Sequence, residues 1–355
     1  MSGITKRLLL AAGSLVVGLV VAESLYRVLR PAPYHEPRLI KSDGEILPLS
    51  EMAAMYRLSG EGQSDPSAGP RSRIRAGLQL RHCYDRPEWD YFDADGCVTV
   101  TTNSLGFRDL EFTVEKRPGE LRILTVGDSF TFGSGVQLED SWPQVLERLL
   151  GGQRAEPVEV INGGFAAGSH YVPGYVEWLA TDGVALSPDV VILGLCLNDL
   201  HPRMPMLGYP VVEADLKPWL GGVSELLCYF QRELRQRELR QTKFDFADLL
   251  EYSPDQWEQN KQAMRALRDL LADQGIRFIV AVLPMVSSLG DDCPFVGLHE
   301  LIAEFCEAEQ IECIDLLPAV RHRDELDLWA HPTDQHPNDV ANRLFAERIH
   351  QYLAR

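Results

Sequence analysis

The sequence lacks several patterns that would fix its class at once. Its seven cysteines, Cys83, Cys97, Cys196, Cys228, Cys293, Cys306 and Cys313, include no Cys-x-x-Cys pair. That argues against structural zinc, and no metal or cofactor is expected. Their odd number, scattered over 355 residues, is not a disulfide framework. Cys83 and Cys97 flank a short polar stretch and either pair in an exported domain or stay as free thiols. No Gly-x-Gly-x-x-Gly or Gly-x-x-x-x-Gly-Lys loop follows the first predicted strand, which disfavours a nucleotide-binding reading. Positive charge is scarce: 34 Lys and Arg stand against 52 Asp and Glu, a net charge of -18. With no basic arm or stripe, such a surface repels phosphates, so nucleic acid is not an expected partner.

Long apolar runs are also missing, with one exception. Leu8 to Ala22 carries no charge; Lys6 and Arg7 precede it and Glu23 ends it. A comfortable bilayer span takes roughly 20 residues, and this run is shorter. Snorkelling by Lys6 and Arg7, with Leu25 and Tyr26 beyond the break, would extend it into an uncleaved anchor. The alternatives are a cleaved signal peptide, with Val20 and Ala22 as a weak cleavage site, and a buried soluble helix. Arg27, Arg30, Arg38 and Lys41 follow the segment, so charge does not orient it. Segment type alone predicts a single-pass membrane protein whose main domain is extracytoplasmic, in the periplasm or cell envelope.

The rest is ordinary globular sequence, 45% hydrophobic and 24% charged. Residues 31 to about 75, rich in Pro, Gly, Ser and charge, read as linker. Residues 76–118, with Val98-Thr99-Val100-Thr101-Thr102, read as a small β-rich lead-in that ends in the turn Asn103-Ser104-Leu105-Gly106-Phe107-Arg108. From Arg122 the pattern alternates. Apolar runs at Ile123–Val126, Val158–Ile161, Val190–Leu195, Phe278–Leu283 and Cys313–Leu316 predict buried strands. Helical patterns at about 141–151, 171–181, 258–275 and 297–310 lie between them, and Val340 to Leu353 forms a last amphipathic helix. Continuous apolar strands separated by helices imply a parallel sheet covered on both faces, an open α/β sandwich that binds ligands at the carboxyl ends of its strands. Residues 200–257 exceed a usual connection. They contain Arg232-Glu233-Leu234-Arg235-Gln236, repeated at once to Gln241, and are either a lid or a solvated excursion.

Four short motifs fall at the expected rim. The first strand ends Val126-Gly127-Asp128-Ser129-Phe130, where a serine past a strand end can turn its hydroxyl toward a ligand. The second ends Asn162-Gly163-Gly164, followed by Phe165-Ala166-Ala167-Gly168. The third ends Cys196-Leu197-Asn198-Asp199. Thr333-Asp334-Gln335-His336-Pro337-Asn338 precedes the last helix.

The order serine, glycine, asparagine, histidine resembles the SGNH subgroup of the GDSL hydrolases, over about Arg122 to Arg355. The resemblance implies a flavodoxin-like three-layer sandwich with a five-stranded parallel sheet. It also implies metal-free hydrolysis or transfer of acyl groups on lipids, polysaccharides or small esters. Carried over residue by residue, Ser129 matches the nucleophile and His336 the general base, with His331 as rival. Asn198 matches an oxyanion donor, beside the N–H of Ser129 and one from Gly164 or Gly168. Ala167 stands where many relatives have glycine, and Cys196 where many have the glycine of Gly-x-Asn-Asp. Asp334, two before the histidine, matches the shorter Asp-x-His spacing of some members. The expected function is a serine hydrolase cleaving acyl or acetyl esters through an acyl-enzyme, on a small-molecule, lipid or glycan ester. An acyltransferase or deacetylase on a cell-envelope polysaccharide would use the same residues, and an inactive glycan-binding module on a membrane tether is a third reading.

Overall fold

The computed structural model describes residues 3–29, 37–47, 74–166, 172–200, 224, 226, 227, 230 and 254–355. The chain divides into two units, Met1–Tyr34 with Tyr209–Phe244, and His35–Gly208 with Asp245–Arg355.

In the first unit the N-terminal run lies within helix α1 (Gly3–Leu29). Leu and Ala favour the helix, and nothing in the segment breaks it. Glu23, which ends the apolar run, pairs with Arg27 one turn later (2.5 Å). Its other oxygen accepts from Ser224 Oγ (2.7 Å) and the Leu226 N–H (3.1 Å). Leu10, Leu15, Val16, Val17, Leu19 and Val20 are exposed. The single transmembrane span expected here is not supported: among the described residues no helix is long and apolar enough to cross a membrane. Helix α1 runs 27 residues, but its uncharged stretch, Leu8 to Ala22 between Arg7 and Glu23, makes about 22 Å of helix against a hydrocarbon core of about 30 Å. The Arg232–Gln241 repeat, and with it the lid reading, lies outside the described residues.

The second unit begins with an antiparallel sheet of β1 (Arg38–Lys41), β2 (Ile46–Leu47), β3 (Gln79–Cys83) and β4 (Cys97–Thr101), in the order β2-β1-β3-β4. Two of these strands fall inside the stretch read as linker. They form because Leu39 and Leu47 are buried, a two-residue apolar signal that Pro/Gly-rich composition conceals. Cys83 and Cys97 face each other in the β3–β4 register and form a disulfide.

The main sheet has five parallel strands, β5 (Leu121–Gly127), β6 (Val158–Gly164), β7 (Val190–Cys196), β8 (Arg277–Leu283) and β9 (Glu312–Asp315), in the order β6-β5-β7-β8-β9. This is the flavodoxin-like order, as the resemblance implies. Every residue of the central strand β7 is buried, because helices cover both faces. The helices are α2 (Ser129–Phe132), α3 (Trp142–Gly151), α4 (Val172–Trp178), α5 (Pro254–Asp273), α6 (Val296–Ala308), α7 (Leu317–Val320) and α8 (Asp339–Leu353). A hairpin of β10 (Trp329–His331) and β11 (Asp334–Pro337) precedes α8. Strand β5 is paired by β6 on one side and β7 on the other, so connections leave it in opposite directions and open a crevice at its carboxyl end.

Candidate active site

Ser129 is the first residue after that crevice opens. Asp128 N-caps α2, its Oδ1 accepting from the Phe130 N–H (3.0 Å), so Ser129 holds the first helical position, where the N–H has no intrahelical acceptor. Gly133 closes the turn with φ +84°, and a Cβ there would meet the Cβ of Ser141 at 2.6 Å. Arg108, fully buried, donates to the carbonyls of Phe132 (2.9 Å), Gly133 and Val136 (2.6 Å). The Asn103–Arg108 turn therefore holds the loop behind the nucleophile position.

His336 approaches from the hairpin. Its Nε2 lies 2.9 Å from Ser129 Oγ, and its Nδ1 lies 2.5 Å from Asp334 Oδ1. Asp334 Oδ1 also accepts the His336 backbone N–H (3.1 Å). The two-residue spacing works because Asp334 and His336 belong to a strand, not a loop: positions i and i+2 share a face. Pro337, which disfavours helical backbone at His336, fits that extended geometry. Behind it, Asn342 donates to the carbonyls of Pro337 (2.8 Å) and Asn338 (2.9 Å), and Asn338 caps α8.

Burial opposes the charging of His336, but the charge and hydrogen bond of Asp334 outweigh it, and the pKa stands above the ordinary histidine value. Asp334 is itself buried, which favours its neutral form. The neighbouring His336 outweighs that effect and holds the carboxyl well below the usual range. Burial pushes Asp128 up, against the Phe130 N–H and the Asn198 side chain.

His331 is not placed as a base. Its Nε2 lies 2.7 Å from the Asp85 carbonyl and its Nδ1 2.7 Å from Thr333 Oγ1, with the Thr333 N–H at 3.1 Å. Both nitrogens are occupied, and the ring packs on Tyr84.

The expected oxyanion donors divide. Ser129 and Asn198 follow adjacent strands, β5 and β7, at the same rim. Asn198 stands beside Asp128, and its Oδ1 is buried without a hydrogen-bond partner. Gly164 needs correction. Its N–H donates to Asn162 Oδ1 (3.0 Å), and a Cβ on it would lie 2.6 Å from Phe132 Cα. It is a close-packing glycine, its donor already engaged. The Asn-x-Gly spacing of an Asx-turn carried that signal. Gly168, the other candidate, and Ala167 lie outside the described residues. Cys196 is a fully buried free thiol against Met285 Sδ (3.9 Å).

Sequence reasoning placed the β-rich lead-in but missed its role at the site. Tyr84, just past β3, donates from its hydroxyl to Asp334 Oδ2 (2.5 Å). Trp89 Nε1 donates to the Trp329 carbonyl (2.8 Å), and Gln137 Nε2 to that of Tyr91 (3.0 Å). The lead-in thus braces the hairpin that carries Asp334 and His336. The hydrogen-bonded pairs Trp89–Trp329 and Tyr84–Asp334 lie 240 and 250 residues apart, beyond any local pattern.

A buried acid, an imidazole and a serine hydroxyl joined by hydrogen bonds at the switch point of a doubly wound sheet define a hydrolase-type site. Residues 125–344 match the model of the GDSL-like lipase/acylhydrolase family, and the chain belongs to that family of ester-hydrolysing enzymes. Similar solved structures include a protein assigned to the lipolytic G-D-S-L family from Desulfitobacterium hafniense DCB-2, at 18% identity and TM-score 0.42, covering 65% of this chain and 98% of that one. Another is the psychrotrophic esterase EstA from Pseudoalteromonas sp., at 14% identity and TM-score 0.40, covering 66% and 97%. A third is an Axe2 mutant, an acetyl-xylooligosaccharide esterase from Geobacillus Stearmophilus, at 14% identity and TM-score 0.43, covering 66% and 94%. A search of curated proteins finds no match.

Proposed function

We propose that the chain is a serine esterase in which Ser129 attacks the ester carbonyl and His336 takes its proton. The observation that carries this reading is the continuous line Ser129 Oγ–His336–Asp334, at 2.9 and 2.5 Å. Asp334 holds the Nδ1 proton, so Nε2 is the free base facing the hydroxyl, and it stabilises the imidazolium that forms. The tetrahedral oxyanion would be met by the N–H of Ser129 and the side-chain amide of Asn198. His336 then returns the proton to the leaving alcohol, leaving an acyl-Ser129. Water, deprotonated by the same imidazole, releases the acid and restores the serine.

The substrate is an acyl or acetyl ester of a small molecule, lipid or glycan. A transferase or deacetylase on an envelope polysaccharide uses the same residues, and only the acceptor differs. The catalytic unit sits outside the cytoplasm, attached to a membrane through α1. The Cys83–Cys97 disulfide supports an oxidising compartment, and the exposed apolar side chains of α1 support membrane contact. A screen of the purified chain against aryl esters of graded length and acetylated glycans, with Ser129→Ala as control, tests the reading. Hydrolysis lost in Ser129→Ala supports it, and equal turnover by a folded Ser129→Ala protein removes it.

A further inference from the structure

The two oxygens of Asp334 have different owners. Oδ1 receives both the ring Nδ1–H and the backbone N–H of His336. Oδ2 receives the hydroxyl of Tyr84, at 2.5 Å. Asp334 is buried and acceptor-only when ionised, so an oxygen without a donor there is costly. The carboxylate is therefore held from both sides, and one side comes from outside the main sheet.

Tyr84 is itself fixed. It is buried, and its ring packs on His82, Phe92 and His331, at centroid distances of 4.5, 5.3 and 5.2 Å. It directly follows Cys83, whose disulfide to Cys97 ties the end of β3 to β4. Gly135, at φ +84°, lets the backbone of the nucleophile loop pass over the bond. A Cβ there would lie 3.4 Å from the Tyr84 hydroxyl and 3.7 Å from Asp334 Oδ2, and 2.6 Å from Ala330 Cβ.

His82 sets the direction of the phenol proton. Its Nδ1 lies 3.2 Å from the Tyr84 hydroxyl, and burial pushes its pKa down to about 4, so the ring is neutral near pH 7. Asp334, ionised, can only accept, so the phenol proton points at Oδ2. The hydroxyl lone pair then accepts from His82 Nδ1–H. This leaves His82 Nε2 as the unprotonated nitrogen, buried without a hydrogen-bond partner. A line of hydrogen bonds thus runs His82, Tyr84, Asp334, His336, Ser129.

We infer that Tyr84, supplied by the lead-in sheet, is a positioning residue for ester hydrolysis: its hydroxyl fixes the Asp334 carboxylate and, through it, the ring and basicity of His336. This rests on the reading of Ser129 and His336 as nucleophile and base. The groups facing His336 are Asp334 from β11, Asp128 from the β5 end and His82 from β3, and those facing Asp334 are His336, His82, His331, Tyr84 and Tyr91. Of the two side chains hydrogen-bonded to Asp334, His336 and Tyr84, Tyr84 is the one whose polar contribution a single-atom change removes without altering charge.

The test uses the full chain, with Tyr84→Phe, which keeps the ring, and Tyr84→3-fluorotyrosine, which keeps the fold and strengthens the donor. Three quantities are read: kcat and KM for an aryl acetate across pH, the titration of the His336 ring by NMR, and Tm. Losing the donor leaves more negative charge on the carboxylate facing His336. In Tyr84→Phe the His336 titration and the acid limb of kcat should therefore move to higher pH, with kcat down about 10-fold and KM unchanged. In the fluorotyrosine variant both should move to lower pH. A Tyr84→Phe protein with a lower Tm but wild-type titration and kcat would show a packing role only and overturn the inference. Should the wild type not hydrolyse the ester, the esterase reading fails, yet the NMR titration still decides the inference: identical His336 titration in all three proteins overturns it.

Discussion

Asp334 does its work through geometry as much as charge. Because its carboxylate outweighs the burial of His336, removing the charge leaves burial, the largest effect, opposed only by the smaller pull of Asp128, and burial lowers an imidazole pKa. Catalysis needs His336 neutral, so kcat/KM should rise with pH along a limb whose midpoint lies above the ordinary histidine value. In Asp334→Asn the midpoint should drop below that value, and kcat should fall on the order of 10⁴-fold as the ring loses its tautomer control. A pH–rate profile of the two proteins checks both signs; an unshifted limb would mean that another acceptor holds the ring. Asn198 acts on a different quantity. If it is an oxyanion donor, it contributes mainly in the transition state, and Asn198→Ala should lower kcat by about 10²–10³ with little change in KM. Steady-state kinetics separate this from a substrate contact, which would raise KM alone. Much of the residue scale was legible in the sequence: serine, asparagine and histidine each follow an apolar strand or precede a helix, where the rim must be. Gly164 was misread because an N–H was counted as available without asking what Asn162, two residues earlier, would do with it.

At the scale of elements, the alternation of apolar runs and helical patterns was enough for the parallel sheet, because strands buried on both faces have to be continuously apolar. The lead-in was harder. Its strands are short, half of their residues face solvent, and what they brace is more than 200 residues away in sequence. Two predictions belong here. Gly164→Ala forces a methyl into the backbone of Phe132, where no side-chain rotation relieves it. Thermal or denaturant unfolding should show a loss of about 1–3 kcal/mol or more. The same variant should also lose activity per folded molecule, because α2 carries Ser129; a protein as stable as wild type would mean that β6 and α2 part easily. The Cys83–Cys97 disulfide closes a separation of 14 residues. Cys83→Ser with Cys97→Ser should cost about 3 kcal/mol in the chain-entropy view. Denaturant melts of the oxidised wild type and the double variant read this directly, and equal midpoints would count against it.

Across the whole molecule, a strongly acidic chain carries a catalytic unit whose candidate site is assembled from four separate stretches: the β5 end, the β7 end, the β10–β11 hairpin and the lead-in. The N-terminal helix was visible in the sequence, whereas among the described residues no helix is long and apolar enough to cross a membrane. If the catalytic unit is outside the cytoplasm, a reporter fused after Arg355 should be active only in an oxidising, extracytoplasmic compartment, and activity confined to the cytoplasm would place the unit inside. If Ser129 is the nucleophile and His336 its base, the chain has one reactive serine. The most direct measurement is labelling of the purified full chain with a fluorophosphonate, followed by peptide mapping by mass spectrometry. The adduct should sit on Ser129 at one per chain, and His336→Ala should abolish it while leaving the fold intact; an adduct on any other serine, or unchanged labelling in His336→Ala, would contradict the account.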